Sequence, residues 1–265
     1  MRDRFGLTVV TGGAQGIGRA LCEAFAADGA SRVVVLDVDG SKASALAERL
    51  AGAAIVVDVS DGAAFTEALT QIESDIGPIS TFISNAGVAL GFDAPSSNAA
   101  HASDDVWMRA WEVNVMAHVR AARYLIPRMI ARGGGTFVQM ASAAGLLNQI
   151  GSAVYGTTKH AAVGFAENIA ISHGSQGIRV ALVCPQGVDT ALLAAIPVGP
   201  ERGDGVLTPE AVALATIQGL DEGRFLILPH EVVHGYYRRK ADDTDRWIRG
   251  MAQLAQRFAH EGSQT

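Results

Sequence analysis

Cysteine is scarce: Cys22 and Cys184 are the only two in 265 residues, and each sits within an apolar segment. That excludes a disulfide-stapled scaffold and predicts two buried thiols in a reducing compartment, with the cytoplasm as the expected location. Basic charge is in short supply too. The chain has 21 Lys and Arg against 27 Asp and Glu, for a net charge of −6, and a pI near 5.6. It therefore offers no basic field for nucleic acid or an anionic membrane. No apolar run reaches the ~20 residues of a membrane-spanning helix. The opening MRDRFGLTVV lacks the apolar core and small-residue cleavage site of a signal peptide. Internal repeats, low-complexity tracts and linkers are also missing. One domain over 1–265 is expected, with 229–265 as a C-terminal extension.

What is present is a core. Hydrophobic residues make up 49% of the chain and mean hydropathy is +0.21, which argues against disorder. Short β-branched runs at 7–10, 32–36, 54–57, 80–84, 136–140, 180–184 and 225–228 read as strands. Between them, Ala-rich helical patterns fall at 17–28, 41–50, 62–75, 104–131, 153–173 and 209–220. The strands are almost continuously apolar, as strands covered on both faces must be. The alternation predicts right-handed βαβ crossovers and an α/β fold, a doubly wound parallel sheet with helices on both faces. Long loops at 88–103 and 186–208 are placed to shape a ligand crevice.

The first strand runs into Thr11-Gly-Gly-Ala-Gln-Gly-Ile-Gly18. Gly12, Gly16 and Gly18 let the backbone turn sharply beside Gln15 and Ile17, so that a pyrophosphate can approach a helix N-terminus. Asp37 ends the second strand, nineteen residues past Gly18. An acid there accepts hydrogen bonds from ribose hydroxyls and repels a 2′-phosphate, which favours NAD over NADP. Asp39 is a nearby alternative, and either acid could cap the following helix. Asp58, with Val59 beside it, is placed to meet adenine or to cap the helix at 62–75.

Further motifs follow in order: Asn85-Ala86-Gly87 after the fourth strand, Asn114 in WEVNVMAH, Ser142 after the fifth strand, and Tyr155 followed four residues later by Lys159. Together with the glycine turn, these identify a chain that resembles the short-chain dehydrogenase/reductase family over roughly 5–230. The resemblance implies a Rossmann-like sheet of about seven strands, a homo-oligomer, and hydride exchange between NAD(P) and an alcohol or carbonyl. By the same resemblance Tyr155 is the general acid/base, Ser142 binds the substrate oxygen and Lys159 tunes Tyr155 and holds the nicotinamide ribose. Asn114 is expected to position a relay water. A tyrosine titrates near ~10, so reaching neutrality takes about three units, or roughly 4 kcal/mol. A lysine ammonium at ~4 Å supplies about that much at an effective dielectric near 20.

After the sixth strand the family's Pro-Gly-x-Val-x-Thr reads Pro185-Gln-Gly-Val-Asp-Thr190. Val188 and Thr190 stay in place for the nicotinamide carboxamide. Gln186 stands where the family has glycine, so either its side chain enters the substrate space or the backbone shifts. Leu147 and Leu192 suggest an apolar substrate, with Gln149 and Gln186 as polar contacts. The apolar stripe from Trp247 to Phe258 in the tail is expected to be a packing or subunit-contact surface.

Three rival readings follow from other features. One is an NADPH-dependent carbonyl reductase of the same family, and another a non-catalytic NAD sensor. The third is a zinc hydrolase, because His230-Glu231-Val-Val-His234 matches the His-Glu-x-x-His spacing. No further His follows at the required distance, where Lys240 stands, and no Glu until Glu261. A coincidental surface helix is expected there, with no metal site.

Overall fold

The computed structural model describes residues 4–92 and 98–261, so the middle of the predicted 88–103 loop lies outside the described residues. The chain opens with β1 (Gly6–Thr11), α1 (Gly16–Ala27), β2 (Ala30–Asp37), α2 (Gly40–Arg49), β3 (Ala53–Val56), α3 (Gly62–Asp75) and β4 (Ile79–Ser84). Next come α4 (Asp104–Trp111), a π-helical segment (Glu112–Met116), α5 (Ala117–Ala131) and β5 (Gly135–Met140). Short α6 (Ala144–Leu147) precedes α7 (Ala153–His173), β6 (Ile178–Val183), short α8 (Ala191–Ala194), α9 (Pro209–Asp221) and β7 (Leu226–Ile227). The tail forms α10 (Val232–Asp242) and α11 (Thr244–Glu261).

All seven predicted strands form one parallel sheet in the order β3-β2-β1-β4-β5-β6-β7. The order reverses between β1 and β4, and a crevice opens beyond the carboxyl ends of strands at such a point. Each face buries its own layer. On one face Phe65 of α3 and Met129 of α5 are buried in a cluster with Phe82 and Phe137 of the sheet, and on the other Leu21 and Phe25 of α1 join Val212 and Leu220 of α9. The Phe82 and Phe137 rings stack at 5.5 Å. Full burial of such a side chain contributes roughly 1.5–3 kcal/mol.

Helix starts follow local chemistry. Asp39 caps α2 by accepting from the Lys42 amide at 3.1 Å. Asp61 accepts from the amides of Ala63 and Ala64 at 3.0 Å, so it, rather than Asp58, caps α3. The helix predicted over 104–131 is interrupted by a π-helical segment that carries Asn114. Such single-turn insertions occur frequently at functional sites.

Candidate active site

At the switch point, the ends of β1 and β4 are laced together. The Asn85 amide donates from Nδ2 to the carbonyls of Thr11 and Gly12, at 3.0 and 3.1 Å. Thr11 Oγ1 accepts from the amides of Asn85 and Ala86 in return, at 2.9 and 3.1 Å. Gly12 and Gly16 adopt left-handed φ of 60° and 53°. A Cβ on Gly18 would lie 1.9 Å from the Gly12 carbonyl oxygen, so only glycine permits this closure.

Helix α1 then starts at Gln15 with no side-chain cap, whereas α2, α3, α7 and α9 are each capped by a side chain. Its first amides are left for an anion, which fits a pyrophosphate. Asp37 is fixed by the Ala14 amide on one oxygen and the Asp39 amide on the other, both at 3.0 Å. Each oxygen keeps a lone pair for a ribose hydroxyl. Asp58 accepts from the amide and hydroxyl of Ser60 and from Arg109. Burial works against its charge, but those bonds outweigh it and hold the carboxyl below its usual range.

One cavity of about 1530 Å³ is lined by residues from this turn, from the start of α7 and from α11. Single-ligand pockets usually occupy about 300–1,000 Å³, so there is room for a dinucleotide together with a substrate. Every residue expected to bind cofactor or substrate, or to act in catalysis, lines this cavity except Asn114. Ser152 caps α7 through the Tyr155 amide at 2.9 Å, aiming the helix's first turn at the cavity. Lys159 follows one turn later, its ammonium 5.7 Å from the Tyr155 ring centroid and 3.5 Å from the Met140 carbonyl. The Phe92 ring packs against that ring at 5.9 Å. Ser142, just past β5, is held by the Ala144 amide at 3.1 Å.

One expectation is corrected here. Tyr155 is not pulled toward neutrality. Burial pushes its hydroxyl up, the hydrogen bond with Ser142 opposes this, and the charge of Glu201 adds to the rise. Burial also lowers Lys159, to about 8. In the protein alone, desolvation outweighs the attraction estimated from spacing. Asn114 does not project into the cavity. Its amide pairs with both backbone groups of Val88, at 2.9 Å each, and donates to Thr158 Oγ1 at 3.1 Å.

The loop over 186–208 is closed at its base by a bridge between Val188 and Leu207. Thr190 caps α8 through the Leu193 amide at 3.3 Å. Gln186 donates to Asp204 at 3.1 Å, and Tyr236 of α10 donates to the other oxygen of the same carboxylate at 2.8 Å. Gln149 reaches Glu201 at 3.4 Å.

The apolar stripe of the tail is a packing surface at its start, where Trp247 lies against the core and 6.3 Å from the Tyr236 ring. Trp247, Met251, Leu254 and Phe258 of α11 also line the cavity together with Leu147, Ile150 and Leu192. The zinc-peptidase geometry is not realised. His230 precedes α10, is 6% exposed, and has both ring nitrogens bonded to backbone groups of Gln186 and Gly187.

Three residues in or behind the site were unread or misread in the sequence. Glu201, with a side chain only 11% exposed, lies beyond the uncharged part of its loop. His118 is fully buried against Ser84 Oγ at 2.6 Å, and its place one turn after Asn114 was the available signal. His230 was masked by its resemblance to a metal motif.

Comparison with known proteins agrees with this geometry. The Escherichia coli K12 oxidoreductase UcpA is 32% identical over 215 residues, covering 78% of this chain and 79% of the relative. A 1-deoxy-11-beta-hydroxypentalenate dehydrogenase from Streptomyces exfoliatus is 32% identical over 248 residues, covering 91% of this chain and 88% of the relative. A short-chain dehydrogenase/reductase from Burkholderia phymatum, solved in complex with NAD, superimposes with a TM-score of 0.80 at 26% identity, covering 92% and 96% of the two chains. The sequence pattern described as short chain dehydrogenase matches residues 7–199, and the protein belongs to that family of oxidoreductases.

Proposed function

We propose that the protein is an NAD-dependent oxidoreductase that interconverts a secondary alcohol and a ketone, with Tyr155 as the proton carrier. One observation carries this reading: Ser142, Tyr155 and Lys159 line the same cavity as the uncapped start of α1 and Asp37. A nicotinamide cofactor held by the glycine turn and Asp37 would supply or accept the hydride at the substrate carbon. Ser142 then donates a hydrogen bond to the substrate oxygen, orienting it and stabilising its developing charge. In the reductive direction Tyr155, kept protonated by burial, passes its proton to that oxygen. In the oxidative direction the same hydroxyl must first lose its proton, and the Lys159 ammonium favours the resulting phenolate.

Asp37 supports NAD, because a 2′-phosphate would meet its carboxylate. NADPH is the second reading. Lys42 lines the cavity 3.5 Å from Gln15 Oε1, although it is paired with Asp39 at 2.7 Å. Leu147, Ile150, Leu192 and the α11 face favour a substrate with a large apolar part. We further take the chain to act as a homo-oligomer in the reducing cytoplasm. Both cysteines are buried free thiols, and among the described residues no helix is long and apolar enough to cross a membrane.

A panel of secondary alcohols assayed with NAD⁺ and with NADP⁺ tests the reading. Reduction of NAD⁺ by a bulky secondary alcohol is expected. Tyr155→Phe should lose about 10²–10⁴-fold in turnover while keeping NADH affinity. Full turnover in that variant would refute the proton role, and exclusive use of NADP⁺ would refute the cofactor assignment.

A further inference from the structure

We infer that His230 is a positioning residue, whose imidazole fixes the backbone of the 185–190 segment where the nicotinamide is proposed to sit. The inference rests on the dinucleotide-binding reading above. Just past β6 the chain leaves the sheet at Pro185 and must turn, and each backbone group freed in that turn needs a partner. The Gln186 amide finds one in His230 Nδ1 at 3.1 Å. The Gly187 carbonyl accepts from His230 Nε2 at 3.1 Å and from the Leu207 amide at 3.0 Å.

One nitrogen accepts and the other donates, so the imidazole is neutral and its tautomer is set by the two backbone groups it joins. Only glycine fits at 187, because a Cβ there would lie 2.5 Å from the Glu201 carbonyl oxygen. Helix α10 holds the far end of the same loop through Tyr236 and Asp204. The tail therefore grips the loop at both ends. His230, the first His of the metal-like motif, serves as a doubly bonded spacer between two peptide groups.

Acid should release this grip. A proton on Nδ1 removes the acceptor that the Gln186 amide uses. The groups facing the ring are the carbonyls of Gly187 and Gly205 and the carboxylate of Asp204, all of which favour the cation. Burial outweighs them and keeps the imidazole below its ordinary range.

The test compares NADH, which carries the nicotinamide, with ADP-ribose, which lacks it. NADH is titrated by fluorescence and ADP-ribose by calorimetry, in the wild type, His230→Phe and His230→Gln. His230→Phe keeps the ring but has no hydrogen-bonding nitrogen, and should weaken NADH about tenfold while leaving ADP-ribose within about twofold. His230→Gln offers one acceptor and one donor, and should recover at least half of that loss on a logarithmic scale.

Unchanged NADH affinity in His230→Phe, or equal weakening of both ligands, would overturn the inference. The wild type alone provides a check independent of variant folding. Its preference for NADH over ADP-ribose should hold from about pH 8 to about pH 6.5, because the buried imidazole stays neutral there, and a loss of preference within that window would also overturn it. A wild type that binds neither NADH nor ADP-ribose would refute the NAD reading itself, a distinct result.

Discussion

The side-chain amide of Asn114 pairs with both the N–H and the carbonyl of Val88, at 2.9 Å each, across 26 residues of sequence. It acts as a peptide surrogate that continues the sheet's hydrogen bonding past the end of β4. The segment Asn85–Val88 is thereby held against the cavity. Asn114 Oδ1 and Lys159 Nζ both border Gly87, each 3.4 Å from where a Cβ would stand.

Asn114→Ala should thus act first on stability. Removing the amide leaves the Val88 N–H and carbonyl without partners, while the Thr158 hydroxyl keeps its bond to the Tyr155 carbonyl, at an expected cost of about 2–4 kcal/mol. Urea unfolding would show a lower midpoint with an unchanged slope. Asn114→Asp should be no better, because a carboxylate cannot donate to the Val88 carbonyl.

Lys159 is expected to lower stability. Burial reduces its pKa to about 8 from an ordinary 10.5. Between those values the unfolded chain binds a proton that the folded chain does not, so stability should rise with pH across that window. At pH 7 both states carry the charge and the desolvation penalty is fully present. Lys159→Met should raise stability at pH 7 by roughly 1–3 kcal/mol while abolishing turnover. Thermal melts of the two proteins from pH 7 to pH 10 check both the gain and the flattened slope.

His118 governs the acid side. Burial, reinforced by the charge of Lys159, lowers its pKa to about 3 from an ordinary 6.5. As pH falls below 6.5 the unfolded state takes up a proton and the folded state does not. Stability should therefore drop by about 1.4 kcal/mol per pH unit from this group alone. His118→Phe should lose that component of the slope, measured by denaturant unfolding between pH 6.5 and pH 4, at some cost from the broken bond to Ser84.

Asp37→Ala probes the adenosine end. Without its carboxylate the ribose hydroxyls lose their acceptor and a 2′-phosphate loses its repulsion, while Lys42 remains. The ratio of NADP⁺ to NAD⁺ efficiency should rise by at least about tenfold, or ~1.4 kcal/mol. An unchanged ratio would show that Asp37 serves only to brace the turn through the Ala14 amide.

The sequence by itself determined the sheet, the glycine turn and the shared face of Tyr155 and Lys159. These are set by periodicity, by backbone freedom and by residues one helical turn apart, all of which are local. Helix caps were half legible: Asp39 and Asp58 were both candidates, and only geometry gave one cap to Asp39 and the other to Asp61. What tertiary structure alone decided depended on partners distant in the chain. The pairing of Asn114 with Val88 and the joining of His230 to a loop 44 residues earlier leave no local pattern, and the apolar stripe of α11 is legible while the cavity it lines is not. The same holds for ionisation. Spacing places a lysine near Tyr155, but desolvation depends on every element packed around the pair, and in the folded protein it pushes both groups toward their neutral forms.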